Sequence, residues 1–151
     1  MGCSTELVAM PNEDNYQILA DKHPKAPVLG APELPTRSPL MVSKDDVSKG
    51  IASFPSGSAG GPDFLLPQHL KDMVGTPRVG AEMLARLTTF FNVVLGGGVP
   101  DAIRPRFFGA TLIALNKRNG GLHPIAVGNT IRHLAVKLAS AASIAHISEF
   151  F

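Results

Sequence analysis

The residues best suited to chemistry are cations: Arg104, Arg106, Lys117, Arg118, Arg132 and Lys137. No acidic residue stands between Asp101 and Glu149. Residues 1–101 hold eight Lys/Arg and eleven Asp/Glu, a net of −3, whereas residues 102–151 hold six Lys/Arg and one Glu, a net of +5. A basic third of this kind suits a polyanion such as RNA or DNA, bound weakly and with little sequence preference. Charge alone favours a solvated basic face over such a binding surface. Lys117 and Arg118 run directly into Asn119-Gly120-Gly121, where glycine lets backbone N–H groups approach a phosphate closely.

Other chemistries find little support. Cys3 is the only cysteine, which leaves no internal disulfide and no cysteine-based zinc site. His23, His69, His123, His133 and His146 lack metal-ligand spacing. The Gly-rich stretch Ser56–Gly61 lacks the Gly-Lys-Ser/Thr ending of a phosphate-cradling P-loop, and Ser56-Gly57-Ser58 lacks the strand and helix of a nucleophile elbow. Asp45-Asp46 is the only Asp-Asp pair, and it falls at a helix start. No catalytic and no metal-binding residue is therefore assigned. Apolar residues make up 44% of the chain and charged ones 17%, below the roughly 25% of an ordinary domain. That shortage of charge fits either a surface that meets another segment or a poorly soluble domain.

Several elements must position the cations. Six prolines before residue 42 (Pro11, Pro24, Pro27, Pro32, Pro35, Pro39) predict an extended or disordered leader over 1–42, with at most a helical turn around Tyr16–Ala20. Order is expected over 43–151. Ser43 can cap a helix with Asp45 and Asp46 in its first turn and Val47, Ile51 and Phe54 on one face. Pro67 suits the first turn of a short helix reaching Val74. Ala81 to Leu95 carries the stripe Leu84, Leu87, Phe91, Val94 and Leu95, and Gly96-Gly97-Gly98 stops it. An irregular connector follows through Pro100 and Pro105. Gly109–Asn116 and Leu122–Val127 read as strands joined at Asn119-Gly120, a strong hairpin signal. Gly128-Asn129 can cap a last helix from Thr130. The expected class is α+β, mostly helical with one hairpin at about 109–127.

Two blocks carry a family resemblance. The first is Ser53-Phe54-Pro55-Ser56-Gly57-Ser58-Ala59-Gly60-Gly61-Pro62-Asp63 with Pro67-Gln68-His69-Leu70, and the second is Phe107 to Lys117 continued by Gly120-Gly121-Leu122-His123-Pro124-Ile125-Ala126-Val127-Gly128. In order and separation they resemble the N-terminal fingers motifs of reverse transcriptases from animal non-long-terminal-repeat retroelements. The resemblance covers about residues 43–140.

It implies the fingers and start of the palm, with Gly60, Gly61, Pro62 and Asp63 as a structural loop. It also implies that the hairpin folds over an incoming nucleotide, with Lys117, Arg118 and His123 toward its triphosphate, while the acid-free run by itself offers Arg104, Arg106, Arg132 and Lys137 as nucleic-acid contacts. The family usually has arginine where His123 stands, and glycine and arginine where Phe64 and Leu66 stand. Each change removes a cation or backbone freedom. The family's palm aspartates hold two metal ions, magnesium in the full-length enzymes. After Lys137 this chain offers only Glu149, so no cofactor is expected here. The expectation is a retrotransposon-derived, truncated fragment inactive in DNA synthesis. Two alternatives stay open: a non-catalytic RNA- or DNA-binding module, and half of an enzyme completed by a palm segment supplied elsewhere. Met1 to Ala20 is acidic and lacks the continuous apolar run of a secretory signal, and Glu6 breaks the myristoylation pattern. With no bilayer-length apolar stretch either, an intracellular protein without membrane contact is expected.

Overall fold

The computed structural model describes residues 7–22 and 38–148, with side chains described as far as residue 144. Cys3, His23, the proline-rich span from Pro24 to Pro35 and Glu149 lie outside the described residues, and so does the side chain of His146. The fold is α+β, six helices and one antiparallel two-stranded sheet among the described residues. Contacts divide it into two units, residues 7–22 with Ala110–Val127 and residues 38–109 with 128–148. That division cuts across the expected boundary between 42 and 43.

In the first unit, α1 spans Glu13–Lys22, twice the length of the turn expected at Tyr16–Ala20. Asn12 caps it, its Oδ1 accepting from the Asn15 N–H at 2.8 Å, and Glu13 and Asp14 sit at the positive end of the helix dipole. The hairpin pairs β1 (Thr111–Asn116) with β2 (Leu122–Val127), Thr111 opposite Val127 and Asn116 opposite Leu122. Residues 7–9 lie along the other edge of β1. The Ala9 N–H donates to the Ala114 carbonyl and the Asn116 N–H to the Leu7 carbonyl, both at 2.9 Å. Ala9, Ala114 and Leu122 form a small buried cluster with Leu19 against it. Lys22 Nζ donates to the Leu122 carbonyl at 2.8 Å, tying the end of α1 to β2.

Because Lys117 and Gly121 are hydrogen-bonded to each other, alternation along the ladder places Leu122, Pro124 and Ala126 at positions whose backbone groups face away from β1. Pro124 therefore sits in a strand without losing a ladder bond.

The second unit holds the larger core. Helix α2 (Lys44–Ala52) opens with a capping box: Ser43 Oγ accepts from the Asp46 N–H at 3.2 Å, and Asp46 Oδ2 accepts from the Ser43 N–H at 2.8 Å. Its Val47 and Ile51, with Phe54 beyond, face inward as the spacing predicts. Helix α3 (Pro67–Val74) contributes Leu70, α4 (Gly80–Leu95) contributes Phe91 and Val94, and α6 (Thr130–Ser148) contributes Leu134, Ala135 and Leu138. Phe91 and Leu134 are fully buried, each contributing about 1.5–3 kcal/mol by its removal from water.

Close approach of α2 and α6 rests on Gly50, where a Cβ would lie 2.9 Å from Leu134 Cδ1. Helix α4 stops at Gly96, and Gly97 turns the chain with φ +80. The stretch expected as an irregular connector contains a short helix, α5 (Arg104–Phe108), started by Pro105 in its first turn.

Candidate functional site

The tip of the hairpin is built from one short segment. The Lys117 N–H donates to the Gly121 carbonyl at 3.0 Å, and the Gly120 N–H returns to the Lys117 carbonyl at 3.1 Å. Gly120 and Gly121 take φ +80 and +88, a left-handed pair that L side chains resist. Nothing lies within 4 Å of a Cβ built at either, so conformation rather than space requires glycine there. Lys117, Arg118 and Asn119 are exposed on this turn, and His123 is exposed on β2 opposite Leu115. One expected phosphate donor is corrected. The Gly120 N–H points inward to Lys117 and is not offered to a ligand.

The other four cations belong to the second unit, and three of them have partners there. Arg104 is not unopposed: its Nη1 lies 2.8 Å from Asp101 Oδ1, and its Nε donates to the Val99 carbonyl at 3.0 Å. An i,i+3 pair on one turn reaches back across the boundary at which the acid-free run begins. Lys137 Nζ stands 4.9 Å from the centroid of the Phe54 ring and 3.1 Å from Ser53 Oγ, a cation–π contact between α6 and the end of α2. Arg132 Nη1 donates to the Gly109 carbonyl at 3.4 Å. Arg132, His133, Val136, Lys137 and Phe54 line an open hollow of about 370 Å³. Arg106 is exposed and has no acidic partner among the described residues.

The loop Gly60-Gly61-Pro62-Asp63 has a structural task. A Cβ at Gly61 would stand 2.5 Å from Asn129 Cα and 2.7 Å from the Gly128 oxygen, so only glycine lets the loop meet the start of α6. Asp63 Oδ1 accepts from the Leu65 N–H at 3.3 Å, and the Phe64 N–H donates to the Gly61 carbonyl at 3.0 Å. Phe64 takes φ +57, the positive φ of a non-glycine residue, with its side chain almost fully exposed.

The buried Thr130 hydroxyl bonds to the Leu65 carbonyl. Asn129 caps α6 as expected, its Oδ1 accepting from the Arg132 N–H at 2.7 Å, and its Nδ2 donates to the Phe107 carbonyl at 3.3 Å. Thr130 and the Lys137–Phe54 contact gave no signal in the sequence, because both depend on distant partners.

No group of three His, Cys, Asp or Glu side chains that could hold a metal occurs among the described residues. The carboxylates of Asp45 and Asp46 serve α2: Asp45 pairs with Lys49 at 2.6 Å, and Asp46 closes the capping box. Hydrogen bonds first from the Ser43 side chain and then from its backbone hold the Asp46 carboxyl below its ordinary range. Among the described residues no helix is long and apolar enough to cross a membrane. No family model, no curated protein and no solved structure matches the chain.

Proposed function

We propose that this chain is a fingers-side segment of a reverse-transcriptase-like polymerase, one that contacts phosphates and strands and supplies none of the carboxylates needed to hold metal ions. The observation that carries the reading is Phe64. The resemblance implies glycine at this position, and Phe64 stands at φ +57, in the backbone region that favours glycine. The loop it closes brings the first resembling block onto the end of the second, Gly61 against Gly128 and Asn129. An exposed two-cation hairpin tip turned by two left-handed glycines fits the implied task of neutralising a triphosphate.

In this reading Lys117 and Arg118 contact phosphates, His123 gives a weaker contact than arginine would, and Arg106 and Arg132 add strand contacts. The reaction itself would need magnesium held on palm aspartates, which these residues do not provide. What this segment retains is weak, sequence-tolerant binding of RNA or DNA.

Fluorescence polarisation with single-stranded RNA over a salt series tests it. Three or four phosphate contacts give a log–log slope of about −2 to −3, at roughly −0.7 per phosphate. Replacing Lys117 and Arg118 together by alanine should flatten the slope by about 1 to 1.5. His123→Arg should tighten binding of a nucleoside triphosphate. Primer extension with magnesium or manganese should show no incorporation. Salt-independent, sequence-selective binding would sink the reading, as would incorporation abolished by mutating a carboxylate of this chain.

A further inference from the structure

Four phenylalanines of the second unit form a continuous edge-to-face chain that runs from the core to solvent. Phe91 is fully buried and meets Phe90 with centroids 5.4 Å apart and planes at 75°. Phe90 meets Phe107 at 6.0 Å and 64°, and Phe107 meets Phe108 at 4.9 Å and 87°. Phe107 is partly buried against the core, and the rings that reach solvent are Phe90, 42% exposed, and Phe108, 47% exposed. A soluble surface gains nothing by holding aromatic rings half in water. These rings are also held firmly: Phe91 anchors one end in the core, and Phe107, whose carbonyl accepts from Asn129, sits beside the cap of α6.

The flanking charge selects the ligand. Phe107 and Phe108 follow Arg104 and Arg106 on the five residues of α5, and no acidic residue occurs from there to Glu149. Arg104 is held in place by Asp101 and the Val99 carbonyl, and Arg106 is exposed. Exposed aromatic rings on a segment that also carries cations suit unpaired bases on a phosphate backbone, because every base offers a π-face and every link a charge. Asp101 is engaged by Arg104, so the exposed charge that α5 leaves on offer is the Arg106 guanidinium.

We propose that Phe108 and Phe90, flanked by Arg106, form a base-stacking site for single-stranded nucleic acid. The site belongs to the second unit and the hairpin tip to the first, and the site makes the chain prefer unpaired strands over base-free polyanions. This inference rests on the nucleic-acid reading above and adds to it a contact with bases.

The full chain contains no tryptophan, so Phe108→Trp introduces a single fluorophore at the site. A short oligouridylate should quench its emission, while inorganic polyphosphate should not. Phe108→Ala should weaken oligouridylate binding by about five- to tenfold, leave polyphosphate binding unchanged, and leave the salt slope as in the wild type. Phe108→Trp should restore or exceed wild-type affinity, which loss of packing alone could not explain.

Unchanged oligouridylate affinity in Phe108→Ala overturns the proposal, as does an equal loss on polyphosphate or emission indifferent to RNA. Self-association abolished by Phe108→Ala would also overturn it and assign the face to a protein contact. Replacing Lys117 and Arg118 by alanine keeps the two readings apart. If that variant loses neither ligand while the Phe108 effects stand, the hairpin reading fails alone. If it loses both ligands while Phe108→Ala changes nothing, the stacking site fails alone.

Discussion

Gly61→Ala is the sharpest test of how the loop and α6 are joined. The added Cβ would lie 2.5 Å from Asn129 Cα, 2.7 Å from the Gly128 oxygen and 3.0 Å from the Asn129 nitrogen, all backbone atoms that cannot rotate away. Carbon atoms rest at about 3.5–4.0 Å, so the loop must retreat by roughly 1 Å. Overpacking of this kind costs about 1–3 kcal/mol. The retreat also strains the bond from the Thr130 hydroxyl, 2% exposed, to the Leu65 carbonyl, and a buried hydroxyl left without a partner costs about 1–3 kcal/mol. The two losses share one displacement and do not simply add, which puts the expected total at about 2–4 kcal/mol.

Gly57→Ala is the matched control. Gly57 has φ +75 and nothing within 4 Å of a built Cβ, so alanine there meets backbone strain alone, about 1–2 kcal/mol, partly offset by a stiffer unfolded chain. Urea unfolding followed by far-ultraviolet circular dichroism measures both, since the chain has no tryptophan to report. If Gly61→Ala costs no more than Gly57→Ala, the close approach is not what holds the loop on α6, and the reasoning fails.

Phe64→Gly should stabilise the chain by about 0.5–1 kcal/mol, since relief at φ +57 exceeds glycine's entropic cost and the ring is 84% exposed. A melting temperature lower than the wild type would mean the ring packs after all. Ser43→Ala should cost about 1 kcal/mol near neutral pH through loss of the helix cap. Asp46 has a folded pKa below the ordinary 3.8, so its contribution is present above that value and is lost as acid protonates it. The gap between wild type and Ser43→Ala should therefore narrow as pH falls below 3.8 in equilibrium unfolding, and a gap that stays constant to pH 2 would show that the carboxylate is not part of the cap.

What the sequence made legible was local. Ser43 with Asp46, the stripe ending at Gly96, Asn119-Gly120 and Gly128-Asn129 each announce a start, stop or turn within a few residues, and α2, α4, the hairpin and α6 lie where they predict. Pro67 likewise marks α3. The sequence of helix α1 predicts only a turn, because the helix buries no residue and its apolar pattern is poor. Its visible signals were the cap at Asn12 and the acids after it. Helix α5 lies in a stretch whose Pro100 and Pro105 predict an irregular connector, although proline also suits a first helical turn.

The site was harder to read than the fold. A run free of acids was visible, but Arg104 is drawn to Asp101 at its boundary and Lys137 to the Phe54 ring, so a charge count overstated what is on offer. Such pairings depend on which side chains meet after folding, and spacing along the chain does not encode them. Phe64 is the reverse case. A phenylalanine lacks glycine's backbone freedom, and this one stands where that freedom is needed.

The outward register of Pro124 bears on solubility. A hairpin with an open edge invites a strand from another molecule to continue its sheet, the first step toward ordered aggregates. Along β2 the inviting groups belong to Leu122, Pro124 and Ala126. Proline leaves the middle of that row without a donor, and Lys22 Nζ already occupies the Leu122 carbonyl. A visiting strand would have to give up a hydrogen bond at the centre of the ladder and displace an ammonium group from its end. One imino acid and one lysine thus guard the hairpin against its own kind, in a chain whose low content of charge gives it little other protection from self-assembly.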